Sequence, residues 1–77
     1  MTRGVADAVP AEVVFGLVCR HAAGDFGDLC NEDWAMNTAA VRDGGRILSA
    51  YETPHGNFYV ITEWDRSVTT VLFKHEY

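Results

Sequence analysis

The chain has 77 residues, of which 48% are hydrophobic and 12% aromatic, with eleven acidic side chains against six basic ones and a formal net charge of −5. That length holds one domain, which buries only roughly 60% of the surface its unfolded form exposes, and the apolar content excludes an intrinsically disordered chain. The longest apolar run, Val13–Cys19, is interrupted by Gly16 and falls short of a bilayer span or signal peptide. A protein of the reducing cytoplasm is therefore expected, with Cys19 and Cys30 as small buried hydrophobes rather than a bridge.

Residues Met1 to Val9 show no periodicity and are expected to form a flexible arm ahead of a single domain over residues 10–77. Pro10 suits the first turn of a helix, and Val13, Val14, Leu17, Val18 and His21 follow on one helical face, with Gly24 as the stop. Their Val and Phe richness leaves a strand over Val13–Val18 as the alternative. Gly24-Asp25-Phe26-Gly27-Asp28-Leu29 reads as a loop, with two glycines for unusual backbone angles and Phe26 and Leu29 as anchors. Asn31 then reads as the N-cap of a second helix, Glu32 and Asp33 as first-turn acids that complement its dipole, and Gly44-Gly45 as its end.

From Arg46 the pattern changes to short runs of β-branched and aromatic residues: Arg46–Thr53, Asn57–Trp64 and Ser67–Phe73. The links Pro54-His55-Gly56 and Asp65-Arg66 have hairpin length. The expected fold is α+β: two helices packed on one face of a three-stranded antiparallel β-meander, with Leu17, Val18, Trp34 and Val41 in the core.

The charge pattern is the most informative functional feature. No lysine or arginine lies between Arg20 and Arg42, while Asp25, Asp28, Glu32 and Asp33 fall within that interval. Loop aspartates and first-turn acids have ordinary structural roles, but charge-balanced surfaces normally intersperse the two signs. An acidic surface repels phosphate and attracts a basic groove. The six basic residues are scattered without forming a patch, so direct nucleic-acid binding is not expected.

Other chemistry has weaker support. Cys19, His21 and Cys30 with His55 or His75 are the one conceivable metal set, yet the tight Cys or His pairs of structural zinc sites are missing, so neither metal nor cofactor is expected. His21 is expected to close its helix and bond a carboxylate or carbonyl. Ser49, Ser67, His55 and His75 lie on or near the sheet, and nothing in their spacing requires a nucleophile–base pair. Asp25 with Asp28, or Glu32 with Asp33, has the carboxylates for hydrolysis but needs an enclosing cleft, for which so small a domain rarely has room. No enzymatic activity is expected. Asp65-Arg66-Ser67 at the second hairpin reads first as turn chemistry and second as a recognition tip.

Three blocks stand in sequence: Cys19-Arg20-His21 leading into Gly24–Leu29, then Arg46–Tyr51, then Ile61–Leu72. Together they resemble a family of small bacterial proteins carried on plasmids and other mobile elements, some of them labelled type I restriction subunits. The resemblance covers about residues 17 to 77. It departs at Phe26, where Trp is usual, at Trp64, where Ala is usual, and at Lys74-His75. It implies a mobile-element accessory protein, and it brings no active site with it. The restriction label does not extend to methyl transfer, because no glycine-rich fingerprint of a cofactor-binding Rossmann domain is present.

The expectation is a small acidic inhibitor of a prokaryotic defence complex, directed at CRISPR–Cas or restriction, that occupies a basic nucleic-acid channel by presenting carboxylates in place of phosphates. Asp25, Asp28, Glu32 and Asp33 are the partner-binding residues expected, with Glu63 and Asp65 as a second patch. The alternative is a non-enzymatic mobile-element accessory or antitoxin-like interaction module, in which exposed aromatics matter more than charge. Neither reading involves a membrane.

Overall fold

The β-branched and aromatic residues beyond Gly45 form the antiparallel sheet that their alternation implies. In a computed structural model covering residues 1–77, the strands are β1 (Ile47–Thr53), β2 (Gly56–Thr62) and β3 (Thr69–Phe73). They pair in the order β1-β2-β3, with Ser49 opposite Val60 and Val60 opposite Val71. Three helices precede them, α1 (Arg3–Ala8), α2 (Ala11–Ala22) and α3 (Asn31–Asp43), and a 3₁₀ turn over Lys74–Glu76 follows. The chain is an α+β fold.

Because side chains alternate along a strand, the register puts Ser49, Tyr51, Phe58, Val60 and Val71 on one face. That face meets Val14 and Leu17 of α2, together with Val5 and Val9, in one hydrophobic cluster. The segment expected to be a flexible arm is thus part of the core. Thr2 caps α1 by accepting the Val5 N–H, and Val5 is 0% exposed. Burying a valine stabilises by roughly 1.5–3 kcal/mol, enough to hold so short a helix that has little stability alone.

α2 is the helix its periodicity implied, with Val14, Leu17 and His21 turned inward and Phe15 outward. Gly24 ends it at φ 86°, where the Asp25 N–H returns to the Arg20 carbonyl at 2.9 Å. α3 begins one residue earlier than expected. Cys30, not Asn31, is its N-cap, because the Cys30 carbonyl accepts the first helical hydrogen bond, from Trp34.

Two helices were expected on the sheet; α1 and α2 take that place, and α3 runs along the outer edge of β1. Its Asn37 side chain bonds both backbone polar groups of Leu48, accepting the N–H at 3.1 Å and donating to the carbonyl. This edge position explains why Val41, expected in the core, is 59% exposed and why Trp34 is only half-buried, its ring edge-on to Phe26 at 5.4 Å. Farther along the same edge, the Gly24–Leu29 loop continues the pairing. The Ala50 N–H donates to Phe26 O at 3.1 Å, Asp28 N–H donates to Ala50 O at 2.7 Å, and the Asp28 carboxylate accepts the Glu52 N–H at 2.8 Å.

The second hairpin is longer than expected: β2 ends at Thr62 and β3 starts at Thr69, leaving residues 63–68 as a loop. Arg66 sits there at φ 64° and sends its guanidinium to the carbonyls of Ala40 and Gly45 at the end of α3. Reaching that helix end requires a wider loop than a tight turn, and a cation there complements the dipole. On the opposite face of the sheet, Tyr77 meets Tyr59 edge-on at 5.4 Å and lies under the Arg46 guanidinium.

The loop pairing depends on Gly27, whose φ is 75° and where an added Cβ would overlap the Ala50 carbonyl oxygen and the Tyr51 ring. Gly27→Ala is expected to destabilise the fold by at least about 2 kcal/mol, through left-handed strain and overpacking together. Urea unfolding checks this, and Gly16→Ala, with no atom near the new methyl, is the matched control expected to change stability little or raise it.

Candidate functional site

Two features of the molecule have functional potential: a buried polar cluster with an adjoining cleft, and the acidic surface around the start of α3. The cluster begins at Ser49, which points from β1 into the core face and is 0% exposed. His21, on the inward stripe of α2, brings Nδ1 to 2.6 Å from Ser49 Oγ and Nε2 to 2.8 Å from Thr62 Oγ1. Thr62 Oγ1 in turn lies 2.8 Å from Thr69 Oγ1 on the neighbouring strand. The hydroxyls of three strands and one imidazole thus form a continuous chain from the interior to the exposed Thr69. No buried side-chain polar atom is left without a partner.

His21 therefore bonds hydroxyls, not the carboxylate or carbonyl expected for it. With no carboxylate on Nε2 and no solvent access to Ser49, this pair lacks what a serine nucleophile requires. A cleft of about 370 Å³ opens beside it, between α2 and α3, lined by Val18, Val41 and Ile47 as well as His21, Thr62 and Thr69. Its charged groups are none, and its polar groups are already paired within the cluster.

The acidic residues do not form one uniform patch. Asp25 accepts a hydrogen bond from Arg20 Nε at 2.8 Å, and that bond holds its carboxyl below the ordinary range. The interval without lysine or arginine in sequence is thus compensated in space at Asp25 alone, because the loop after Gly24 folds back on α2. Arg20 also lies over the Tyr51 ring, whose hydroxyl donates to the Asp25 carbonyl. Asp28 serves the β1 edge through Glu52. Glu32 and Asp33 sit exposed in the first turn of α3 and bond no side chain or backbone group.

The remaining two residues lie elsewhere. Glu63 pairs with Arg46 at 3.6 Å, and Asp65 accepts both the N–H and the hydroxyl of Ser67, which lowers its pKa. Both belong to the loop clasped to the far end of α3 by Arg66, roughly 15 Å from Glu32 along the helix at 1.5 Å per residue. Asp65-Arg66-Ser67 is accordingly a clasp between hairpin and helix. Cys19 and Cys30, expected to be buried, are both exposed and unbridged. Cys19 falls on the outer side of α2 and Cys30 at the helix start, positions that their hydrophobicity alone did not indicate. No group of three or more metal-ligating side chains converges, and no helix is long and apolar enough to cross a membrane.

Sequence reasoning did not find the His21–Ser49–Thr62 chain or the Asn37 edge contact. The signal for the first was present: Ser49, Thr62 and Thr69 fall on one sheet face once the register is drawn, and His21 falls on an otherwise apolar helical stripe. No protein-family model, curated protein or solved structure matches the chain.

Burial disfavours the imidazolium, so the His21 pKa lies below its ordinary value of 6.5. The unfolded chain then takes up this proton first. Stability is full above the unfolded pKa and declines as the pH falls below it toward the folded pKa. Urea midpoints at pH 8 and pH 5.5 are expected to differ in the wild-type protein. The difference should shrink in His21→Gln, which is less stable at both pH values because it disturbs the buried hydroxyls.

Proposed function

We propose that this chain is a non-enzymatic, cytoplasmic inhibitor of a bacterial defence complex, CRISPR–Cas or restriction, which engages a Lys/Arg-lined nucleic-acid channel through the acidic start of α3. The observation that carries the reading is the fate of the cations. Arg3, Arg20, Arg42, Arg46 and Lys74 each face a carboxylate within the molecule, and Arg66 is spent on the carbonyls of α3. Asp28, Glu32 and Asp33 have no cationic partner and follow one another into the first turn of a helix. With the bases engaged elsewhere in the molecule, these three carboxylates are left as the unpaired charge that the start of α3 offers an external basic groove.

This narrows the binding residues from those the sequence suggested. Asp25 and Glu63 are neutralised by their arginines, and Asp65 is turned to Ser67, so Glu32 and Asp33 lead, with Asp28 beside them. Glu32 and Asp33 are adjacent in the first turn, and Asp28 lies two residues before the Cys30 cap, so three carboxylates follow one another along a short stretch of surface, as phosphates do along one strand. The mobile-element resemblance supplies the defence complex as the target. A second reading, an accessory or antitoxin-like interaction module, is favoured by Phe15 and Met36, each 70% exposed, and Trp64 at 71%. Salt separates the two, since exposed charge is screened beyond about 8 Å at physiological ionic strength whereas apolar docking is not.

The test is a plasmid-protection assay. The chain is expressed in bacterial hosts carrying defined CRISPR–Cas or restriction systems, and the transformation efficiency of a targeted plasmid is measured. The wild-type chain is expected to restore efficiency at least tenfold in a susceptible host, and Glu32→Lys with Asp33→Lys to abolish the effect. Each reversal costs α3 about 0.3–1 kcal/mol of dipole stabilisation, so circular dichroism must first show the variant folded. Protection by a folded double variant, or no protection by the wild-type chain in any host, overturns the reading.

A further inference from the structure

A groove of about 360 Å³ runs between α3 and the start of β1, on the side of α3 away from the His21 cleft. Asp33, Met36, Asn37 and Ala40 line it at i, i+3, i+4 and i+7, so they form one stripe about 10 Å long at 1.5 Å per residue. Leu29 and Leu48 complete its apolar wall, and both are half-buried. Met36 stands at its lip, 70% exposed.

The polar lining decides what fits. Asn37 is fully committed, its amide bonded to both backbone groups of Leu48. Arg46 is drawn off by Glu63 at 3.6 Å and by the Tyr77 hydroxyl at 3.1 Å. Arg46 also follows Gly45, beyond the C-terminal end of α3, whereas Asp33 lies in its first turn. Asp33 is thus the one polar side chain of the groove without a partner, placed at the end remote from the arginine.

We propose that this groove receives a lysine or arginine side chain of the protein partner, with its methylene stem against Leu29, Met36 and Leu48 and its cationic head on Asp33. Long basic side chains bury their stems on apolar surface while keeping the head at a charge, and methionine adapts to such stems. The inference rests on the reading of the α3 start as the partner-binding surface. It adds that Asp33 acts within a shaped, half-apolar seat, while Glu32 acts by charge alone.

Solution NMR on the full chain, with labelled Met and Leu methyls, tests this with a capped Ala-Arg-Ala-Arg-Ala peptide at low salt. Citrulline and glutamate versions of the same peptide serve as controls. The arginine peptide is expected to shift the Met36, Leu29 and Leu48 methyls saturably together with the Asp33 amide, and the controls to leave them in place. Asp33→Asn should weaken binding about fivefold, the scale of one ion pair of about 1 kcal/mol, and Glu32→Gln less than twofold. Met36→Ala should weaken it while leaving the amide spectrum of the fold intact. Shifts confined to the Asp28 and Glu32 amides, with the methyls unmoved, overturn the groove and leave the acidic surface standing. Equal binding of the citrulline peptide overturns the cationic occupant. An arginine peptide that moves no signal overturns both the groove and the reading beneath it.

Discussion

A three-stranded sheet leaves two rows of peptide groups without strand partners, and the arrangement of this molecule follows from how the row on β1 is closed. Three different devices act in series: the Asn37 amide at Leu48, a stretch of loop backbone at Ala50, and the Asp28 carboxylate at Glu52. Unpaired edges invite association with other strands, and covering them is a common protective solution. Here the cover also fixes position. α3 must lie along β1 for Asn37 to reach it, and the Phe26–Asp28 backbone must run beside Ala50. The start of α3, with Glu32 and Asp33, therefore stands at the sheet's corner, where neither carboxylate pairs with a base of the chain.

The core has two chemically distinct ends. Toward Tyr51 and Phe58 it is filled by valines from α1 and α2, and Phe58 stacks on Phe73 at 5.0 Å. Toward Ile47 and Thr69 it is filled by hydroxyls and the His21 imidazole. An apolar packing interaction tolerates small shifts, but a buried hydrogen-bonded chain does so poorly, because each unpaired member costs about 1–3 kcal/mol. The polar end is therefore the part that specifies the register of α2 against the sheet. A slip of α2 by one residue would carry His21 off the inward stripe and leave Ser49 alone.

Much of this architecture could be read from the residues, and the failures have a common cause. The meander was legible because its strands alternate and Pro54-His55 interrupts them with a turn, although Gly56, read as part of that link, opens β2 opposite Thr53. α2 was legible from its stripe, and Gly24 from its place after it. What escaped was whatever depends on contacts between segments far apart in sequence. α1 is too short for periodicity, and only the i, i+4 pair Val5 and Val9 marks it. Arg66 widens its loop because the end of α3 lies across from it, a fact absent from any local pattern. The acidic interval looked uncompensated because Arg20 stands just outside it, yet the turn at Gly24 returns Asp25 to that arginine. For the candidate surface, the acid content of the α3 start was legible, but the sorting of engaged from free carboxylates required the fold.

The two exposed thiols have a practical meaning for solution work. Cys30 caps α3 two residues before Glu32, whereas Cys19 lies on the outer side of α2, and neither is bridged. A fluorophore attached to Cys30 in a Cys19→Ser background sits beside the acidic corner, and one on Cys19 in a Cys30→Ser background sits on another element. The native chain thus comes with a near reporter and a far one. Comparing their emission on mixing with a candidate partner would map the face of contact without adding any foreign residue other than a serine.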